Sequence, residues 1–405
     1  MSKKNFFADR TEGIPFSGTL KIEKRISEMR QSGIDVITFM KKADTPQHVK
    51  DAAKKFLDSP RAASYTDVAG LLELREAIAE KLERENGIDA DPLSEIMVTV
   101  GGKQAIFTAT LATINPGDEV LIQDPTWVSY QQCVRLAGGV PVPVPLLEEE
   151  DYRTSHKLIE RSITPKTKMI VICSPNNPTG SMLDKEDCEH IADIARRNDL
   201  LILTDESYEN FVYDGSKHYS VASFSDMKER TITVHSTSKI YHMPGWRIGW
   251  VTANKEIMRR MLAIQSQTIT CPTSFAQAGA VAALSKPLGL GDMPINEVVR
   301  QYEEKRNVMV NALNKIPGIS CVVPRGGFMA FPNVSKLGMS SLETCEFLLE
   351  KAKVATTPGI VFGRQGEGHL RFIYSSPIEE IEKGLDRVRI ALEGISHKLE
   401  THAAV

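Results

Sequence analysis

A chain of 405 residues is too long for one compact core and suits two domains sharing a hinge. With 41% apolar and 25% charged residues it has the make-up of an ordinary soluble globular protein, and a net charge of −3 gives no reason to expect nucleic acid or an acidic membrane surface as partner. The start, MSKKNFFADR, lacks a long apolar segment, so neither a signal peptide nor a membrane span is expected and the cytoplasm is the expected compartment.

Residues 1 to about 16 read as an arm. From Leu20 to Gly33 the apolar positions recur at helical spacing, and Ile34 to Met40 reads as a short strand. Helices are expected at His48 to Leu57 and at Leu72 to Glu85. The pattern then alternates. Apolar, β-branched runs stand at Ile96–Val100, Val120–Ile122, Val140–Val144, Met169–Ile172, Leu200–Leu203 and Thr231–Val234. Amphipathic stretches such as Ala105–Ile114 and Lys185–Arg197 separate most of them. Short apolar strands between helices predict an α/β fold: a mostly parallel central sheet covered by helices on both faces. A long helix near Pro294–Ile316 leads into a smaller α+β domain with strands near Ile319–Val323, Phe328–Pro332 and Leu370–Tyr374 and a last helix at Ile378–Ser396. The division expected is a large domain over 47–292, a small one over 293–405, and a segment 1–46 that packs with the small domain.

Chemistry concentrates in His235 to Trp250, HSTSKIYHMPGWRIGW. Lys239 stands among Ser236, Thr237 and Ser238, and Arg247 follows, framed by Gly245, Trp246 and Gly249. Hydroxyls and a guanidinium can share a phosphate through charge-assisted hydrogen bonds, which leaves the lysine amine placed to attack a carbonyl on the same molecule. That combination is what holding pyridoxal phosphate requires. Gly101, Gly102, Lys103 and Gln104 lie between a predicted strand and helix, where glycines permit close backbone approach and the first helical amides point at an anion. Trp127 falls just past the next strand, at the sheet edge where ligands gather in such folds. Asn177 precedes a proline, and Asp205 and Tyr208 follow the run Leu200–Leu203. Six scattered cysteines with no CxxC pair read as free thiols, and nine histidines offer no metal triad.

These motifs resemble the pyridoxal-phosphate enzymes of the aspartate aminotransferase type (fold type I, class I/II). The likeness runs from about Ser17 to the last helix, and the order Asn177, Asp205, Tyr208, Lys239, Arg247 is the family's order. It implies pyridoxal 5'-phosphate as cofactor, carried by Lys239 as a Schiff base. Gly101, Gly102, Lys103, Gln104, Ser236, Ser238 and Arg247 would hold the phosphate, and Trp127 would stack on the ring. Asp205 would keep the ring nitrogen protonated, and Asn177 and Tyr208 would bind the phenolic oxygen. Arg371, inside an otherwise apolar strand, matches the arginine that takes a substrate α-carboxylate, with Asn177 and Trp127 beside it. Tyr65 matches the tyrosine that reaches the neighbouring subunit's phosphate, which implies a homodimer. The implied reaction is transamination between an amino acid and a 2-keto acid, with Lys239 moving the α-proton. A cis bond at Pro178 is also the family's habit.

The chain departs from that family at Phe39 to Pro46, where a glycine-bearing lid is replaced by a shorter stretch with Lys41, Lys42 and Asp44. Gly326-Gly327-Phe328-Met329 likewise replaces the commoner Gly-Ala-Phe-Tyr. A changed lid leaves open β- or γ-elimination, or an oxygen-using oxidase or desaturase acting on a basic amino acid such as arginine, with Asp44 as its side-chain partner. A catalytically silent regulator is a third reading. The intact Lys239, Asp205 and Arg247 set, and the lack of a basic helix-turn-helix stretch before Ile34, argue against it.

Overall fold

The computed structural model describes residues 6–12, 14, 20–40, 44–289 and 292–403. The β-branched runs become strands, most of them buried on both faces as continuous apolar sequence demands, while Val140–Pro145 at the sheet edge stays partly exposed. In chain order these are β1 (Ile96–Thr99), β2 (Glu119–Asp124), β3 (Val140–Pro145), β4 (Thr167–Cys173), β5 (Leu201–Asp205), β6 (Thr231–Ser236) and β7 (Gly249–Thr252). They form one sheet ordered β1-β7-β6-β5-β4-β2-β3. The pairs from β3 through β6 are parallel, and β7 runs antiparallel between β6 and β1. Sequence reading missed β7, because Gly249-Trp250 looks like the tail of a turn. Its glycine has a steric cause: a Cβ at Gly249 would stand 2.7 Å from Gly102 N and 2.8 Å from His235 O.

Helices cover the sheet. Gly101–Thr113 packs on β6 and β7, and Lys255–Thr268 packs on that helix in turn. The helix Lys185–Arg197 begins where expected because Asp184 and Asp187 cap each other's backbone N–H groups at 2.9 and 3.0 Å.

A second sheet, β8 (Met329–Ala330), β9 (Thr357–Pro358) and β10 (Leu370–Ile373), is antiparallel with β10 central. The helices Ile295–Leu313 and Ile378–Ala403 pack together beside it. Two expected strands are absent. Ile34–Met40 makes a single parallel bridge, Ile37 to Val354, and Ile319–Val323 makes only the bridge from Ser320 to Asn333. In the first segment Phe39 adopts φ 55° and buries its ring against Phe372, which breaks extended geometry. Residues 41–43, and with them Lys41 and Lys42, lie outside the described residues. Among the described residues no helix is long and apolar enough to cross a membrane, and the six cysteines are unpaired.

Candidate active site

Parallel strands end at the same edge, and here β2, β4, β5 and β6 deliver Asp124, Cys173, Asp205 and Ser236 to it. A cavity of about 830 Å³ opens at that edge, between the large sheet and the β8–β10 layer. Its walls hold Lys239, Asp205, Tyr208, Asn177, Trp127 and Arg371, with Gly102, Lys103, Ser236, Ser238 and Arg247 at one end and Asp44 at the mouth.

Lys239 lies in the turn after β6. Its ammonium faces the ring of Tyr208 at 5.2 Å and that of Phe328 at 5.7 Å. Asp205 terminates β5, and each of its oxygens is held. Tyr130 OH donates to Oδ2 at 2.7 Å and the Ser207 N–H donates to Oδ1 at 3.1 Å. Burial, then the neighbouring Asp205 charge, pushes the Tyr130 phenol far above its ordinary pKa, so it remains a donor.

The anion end is shaped by backbone. Gly101 sits at φ 73°, and a Cβ there would collide with the Arg247 guanidinium. Arg247 itself adopts φ 57° and donates to Pro244 O at 2.8 Å and Val100 O at 3.4 Å, which folds it across the start of the helix Gly101–Thr113. The Ser236 hydroxyl donates to Ser238 Oγ at 2.8 Å and accepts from the Ser238 N–H at 3.1 Å. Helix N-terminus, hydroxyls and guanidinium converge as a phosphate cradle requires.

At the other end Arg371 rises from β10. Its Nη1 donates to Asn177 Oδ1 at 3.0 Å and its Nη2 to Thr357 Oγ1 at 3.4 Å, while Nε is buried without a partner. Burial lowers its pKa from the ordinary arginine value. Arg371 lines the cavity, and a guanidinium there can take a carboxylate through its planar donors. The Asn177-Pro178 bond is cis, as are Ser174-Pro175 and Asp124-Pro125.

Two expected contacts fall elsewhere, and a third residue stands apart from this chain's own cavity. Gln104 turns its side chain back: Oε1 accepts from Val100 N at 2.9 Å, and Nε2 donates to Thr108 and Gln265. Asp44 is paired with Lys50 at 2.6 Å, so it is not a free carboxylate awaiting a basic substrate. Tyr65 is 86% exposed and does not reach this chain's own cavity.

Sequence reading missed Tyr130, Ser207 and Thr45. Tyr130 could have been found, since it stands one helical turn beyond Trp127 and its ring meets that indole edge-on at 5.3 Å. His242 lines the cavity and is driven down to about 4 by burial, then by Lys305, so it is neutral. Its carbonyl accepts from Thr45 Oγ1 at 2.8 Å, and Thr45 also takes the Trp246 indole N–H at 3.0 Å. The cavity segment from Lys239 to Arg247 is thereby fastened to the lid.

Fold and site together define an enzyme that grips a phosphorylated carbonyl coenzyme at one end of a cleft and a carboxylate at the other. The sequence pattern of the family Aminotransferase class I and II matches residues 33–388. An aromatic-amino-acid aminotransferase of Thermococcus litoralis is 44% identical over 86% of this chain and 89% of its own. A probable aspartate/prephenate aminotransferase of Aquifex aeolicus is 42% identical over 96% and 99%. Among solved structures, the aspartate aminotransferase of Thermus thermophilus with maleate superposes with a TM-score of 0.88 at 36% identity, covering 96% of this chain and all of that one (100%). The chain belongs to the class I and II aminotransferases of fold type I. It is a pyridoxal-phosphate-dependent aminotransferase.

Proposed function

We propose that the enzyme transfers amino groups between 2-amino and 2-keto acids that carry a second carboxylate, with aromatic side chains as a second class of substrate. The observation behind this is that two cations on the cavity wall, Arg371 and Lys103, stand beside the residues proposed to hold the coenzyme; Lys103, given to the phosphate by the family resemblance, is reassigned here. Arg371 takes the α-carboxylate. The Lys103 ammonium lies over the Trp127 ring at 5.0 Å, on the cavity wall, and suits a distal carboxylate. Lys103 stands in the first turn of the helix Gly101–Thr113, which carries no other charge. Relatives named for aspartate support the acidic class. The wall of Met40, Phe328, Met329 and Ile373, and a relative named for aromatic amino acids, support the second.

Pyridoxal phosphate, when bound, supplies the carbonyl that captures an amino group and a ring that accepts electrons from the α-carbon. The remaining work falls to this chain. Gly101, Gly102, Ser236, Ser238 and Arg247 bind the phosphate, and Trp127 covers one face of the ring. Asp205, fixed by Tyr130 and Ser207, holds the proton on the ring nitrogen. Asn177 gives its oxygen to Arg371, which leaves its NH2 and the Tyr208 hydroxyl to donate to the phenolic oxygen. Lys239 anchors the coenzyme through its amine; once released, that amine takes the proton from the substrate α-carbon and returns it on the other side of the reaction. The rings of Tyr208 and Phe328 stand around that amine and keep water from it.

We further propose a cytoplasmic homodimer, with the exposed Tyr65 reaching the phosphate end of the other subunit's cavity. A large part over 47–292 and a small part over 293–405 with the segment 1–46 would close on substrate. The test is product formation from aspartate, glutamate, phenylalanine and tyrosine with 2-oxoglutarate, with and without oxygen. Keto-acid-dependent turnover of the acidic pair is expected. Turnover that needs oxygen and no keto acid would overturn the proposal.

A further inference from the structure

On the face of β6 opposite Ser236 lies a sealed chamber of ionisable groups that the reaction does not use. Strand alternation sends His235 there, where its ring stacks on Trp250 of β7 at 5.2 Å and 10°. His235 Nε2 stands 3.5 Å from Glu206 and 3.4 Å from Glu209. His218 Nε2 lies 3.1 Å from Glu206, and Asn86 donates to both carboxylates at 3.1 and 2.6 Å. Lys81, buried, pairs with Glu209 and Asn86. His235, Glu206 and Lys81 are each almost wholly removed from solvent.

Glu206, Glu209 and His218 are close enough together to suggest a metal site. The Lys81 ammonium already sits on Glu209, however, and donors already occupy the carboxylate oxygens. A metal ion would have to displace a buried cation. The group is instead an ion network, in which the carboxylates of Glu206, Glu209 and Glu85 (3.5 Å from the Lys81 ammonium) face one ammonium and the two imidazoles of His218 and His235. The two carboxylates facing His235 Nε2 at ion-pair rather than hydrogen-bond geometry favour a proton on that atom.

The network also spans the two strands that matter most. Glu206 follows Asp205 directly, and its N–H donates to Val234 O at 2.9 Å. His235 precedes Ser236 and stands four residues before Lys239. We propose that His235, clamped between Glu206 and Glu209, is a positioning residue that sets the placement of Lys239 relative to Asp205. The inference rests on the roles proposed above for those two residues. The raised pKa of His235, where burial opposes the charge and Glu209 and Glu206 outweigh it, agrees with a charged ring.

The test uses the holoenzyme and His235→Phe, which keeps the stack on Trp250 and removes the donor. His235→Phe/Glu206→Gln, which also removes the unmatched charge, accompanies it. Coenzyme affinity of the apoprotein is measured by absorbance titration, and the pH midpoint of the bound coenzyme's visible band is recorded. In His235→Phe, affinity is expected to fall about tenfold and the midpoint to move by about half a pH unit or more; His235→Asn, which keeps a donor, should recover part of both. If His235→Phe does not fold, the double variant carries the same expectation. Affinity and midpoint both unchanged within about twofold in a folded variant would overturn the inference. Borohydride reduction of the wild type separates the two levels. Labelling away from Lys239 sinks the site reading itself, whereas Lys239 labelling with unchanged His235 variants sinks only the positioning role.

Discussion

Tyr130 donates its hydroxyl to Oδ2 of Asp205 at 2.7 Å, across from the Ser207 N–H on Oδ1, so the carboxylate at the end of β5 has no freedom to rotate. Because the Tyr130 phenol is held protonated by burial and by Asp205, the bond persists through the alkaline range. Tyr130→Phe removes one hydrogen bond to a charged group. It is expected to cost about 1.5 to 3 kcal/mol in stability of the apoprotein, and to weaken coenzyme binding several-fold, as read by chemical denaturation and absorbance titration.

Arg371, linked to Asn177 through Nη1, is the residue proposed above for the α-carboxylate. Arg371→Lys replaces a planar fork with a point charge. It should raise KM and lower kcat/KM about 100-fold while leaving the coenzyme's visible band in place. Steady-state kinetics with aspartate and 2-oxoglutarate check it.

Lys103→Ala tests substrate class. Losing one cation should reduce kcat/KM for dicarboxylic substrates about tenfold and leave aromatic donors nearly unaffected. An equal loss for both classes would place Lys103 with the coenzyme instead.

Gly249→Ala introduces a Cβ 2.7 Å from Gly102 N, directly behind the phosphate turn. The helix start must move, so coenzyme affinity should fall about tenfold or more, with a melting temperature lowered by several degrees. Differential scanning of apo and holo protein separates the two effects.

The buried ion network makes stability depend on pH in a definite sense. Burial would raise the carboxyls of Glu206 and Glu209, but His218, His235 and Lys81 outweigh it and hold both below the usual range. Their contribution is complete above an unfolded pKa of about 4.3 and is lost as pH falls through the depressed folded values. His235 is shifted upward, so its contribution is complete below about 6.5 and is lost as pH rises through its folded value. Denaturation midpoints should therefore be highest between about pH 4.3 and 6.5, and Glu206→Gln should flatten the acid side.

Much of the site was legible in the sequence because its chemistry is carried at strand ends. Asp205, Lys239 and Asn177 follow β-branched runs whose burial fixes where they end, and parallel pairing then brings those ends together. Arg371 stood out as one cation in an apolar strand. Contacts between distant segments were not legible. Tyr130 on Asp205 and Thr45 on His242 depend on tertiary placement, which no local pattern encodes. The Gln104 side chain caps its own helix start, a competition that composition does not reveal. Ile34–Met40 reads as a strand by hydrophobicity, yet Phe39 turns inward against Phe372 and leaves one bridge.

The most direct measurement is to reduce the holoenzyme with borohydride, digest it, and locate the pyridoxyl group by mass spectrometry. The label is expected on Lys239 alone, with Lys239→Ala giving neither label nor turnover. A label on another lysine, or normal transamination by Lys239→Ala, would contradict the assignment of the cleft between Asp205, Arg247 and Arg371 as the place where the reaction occurs.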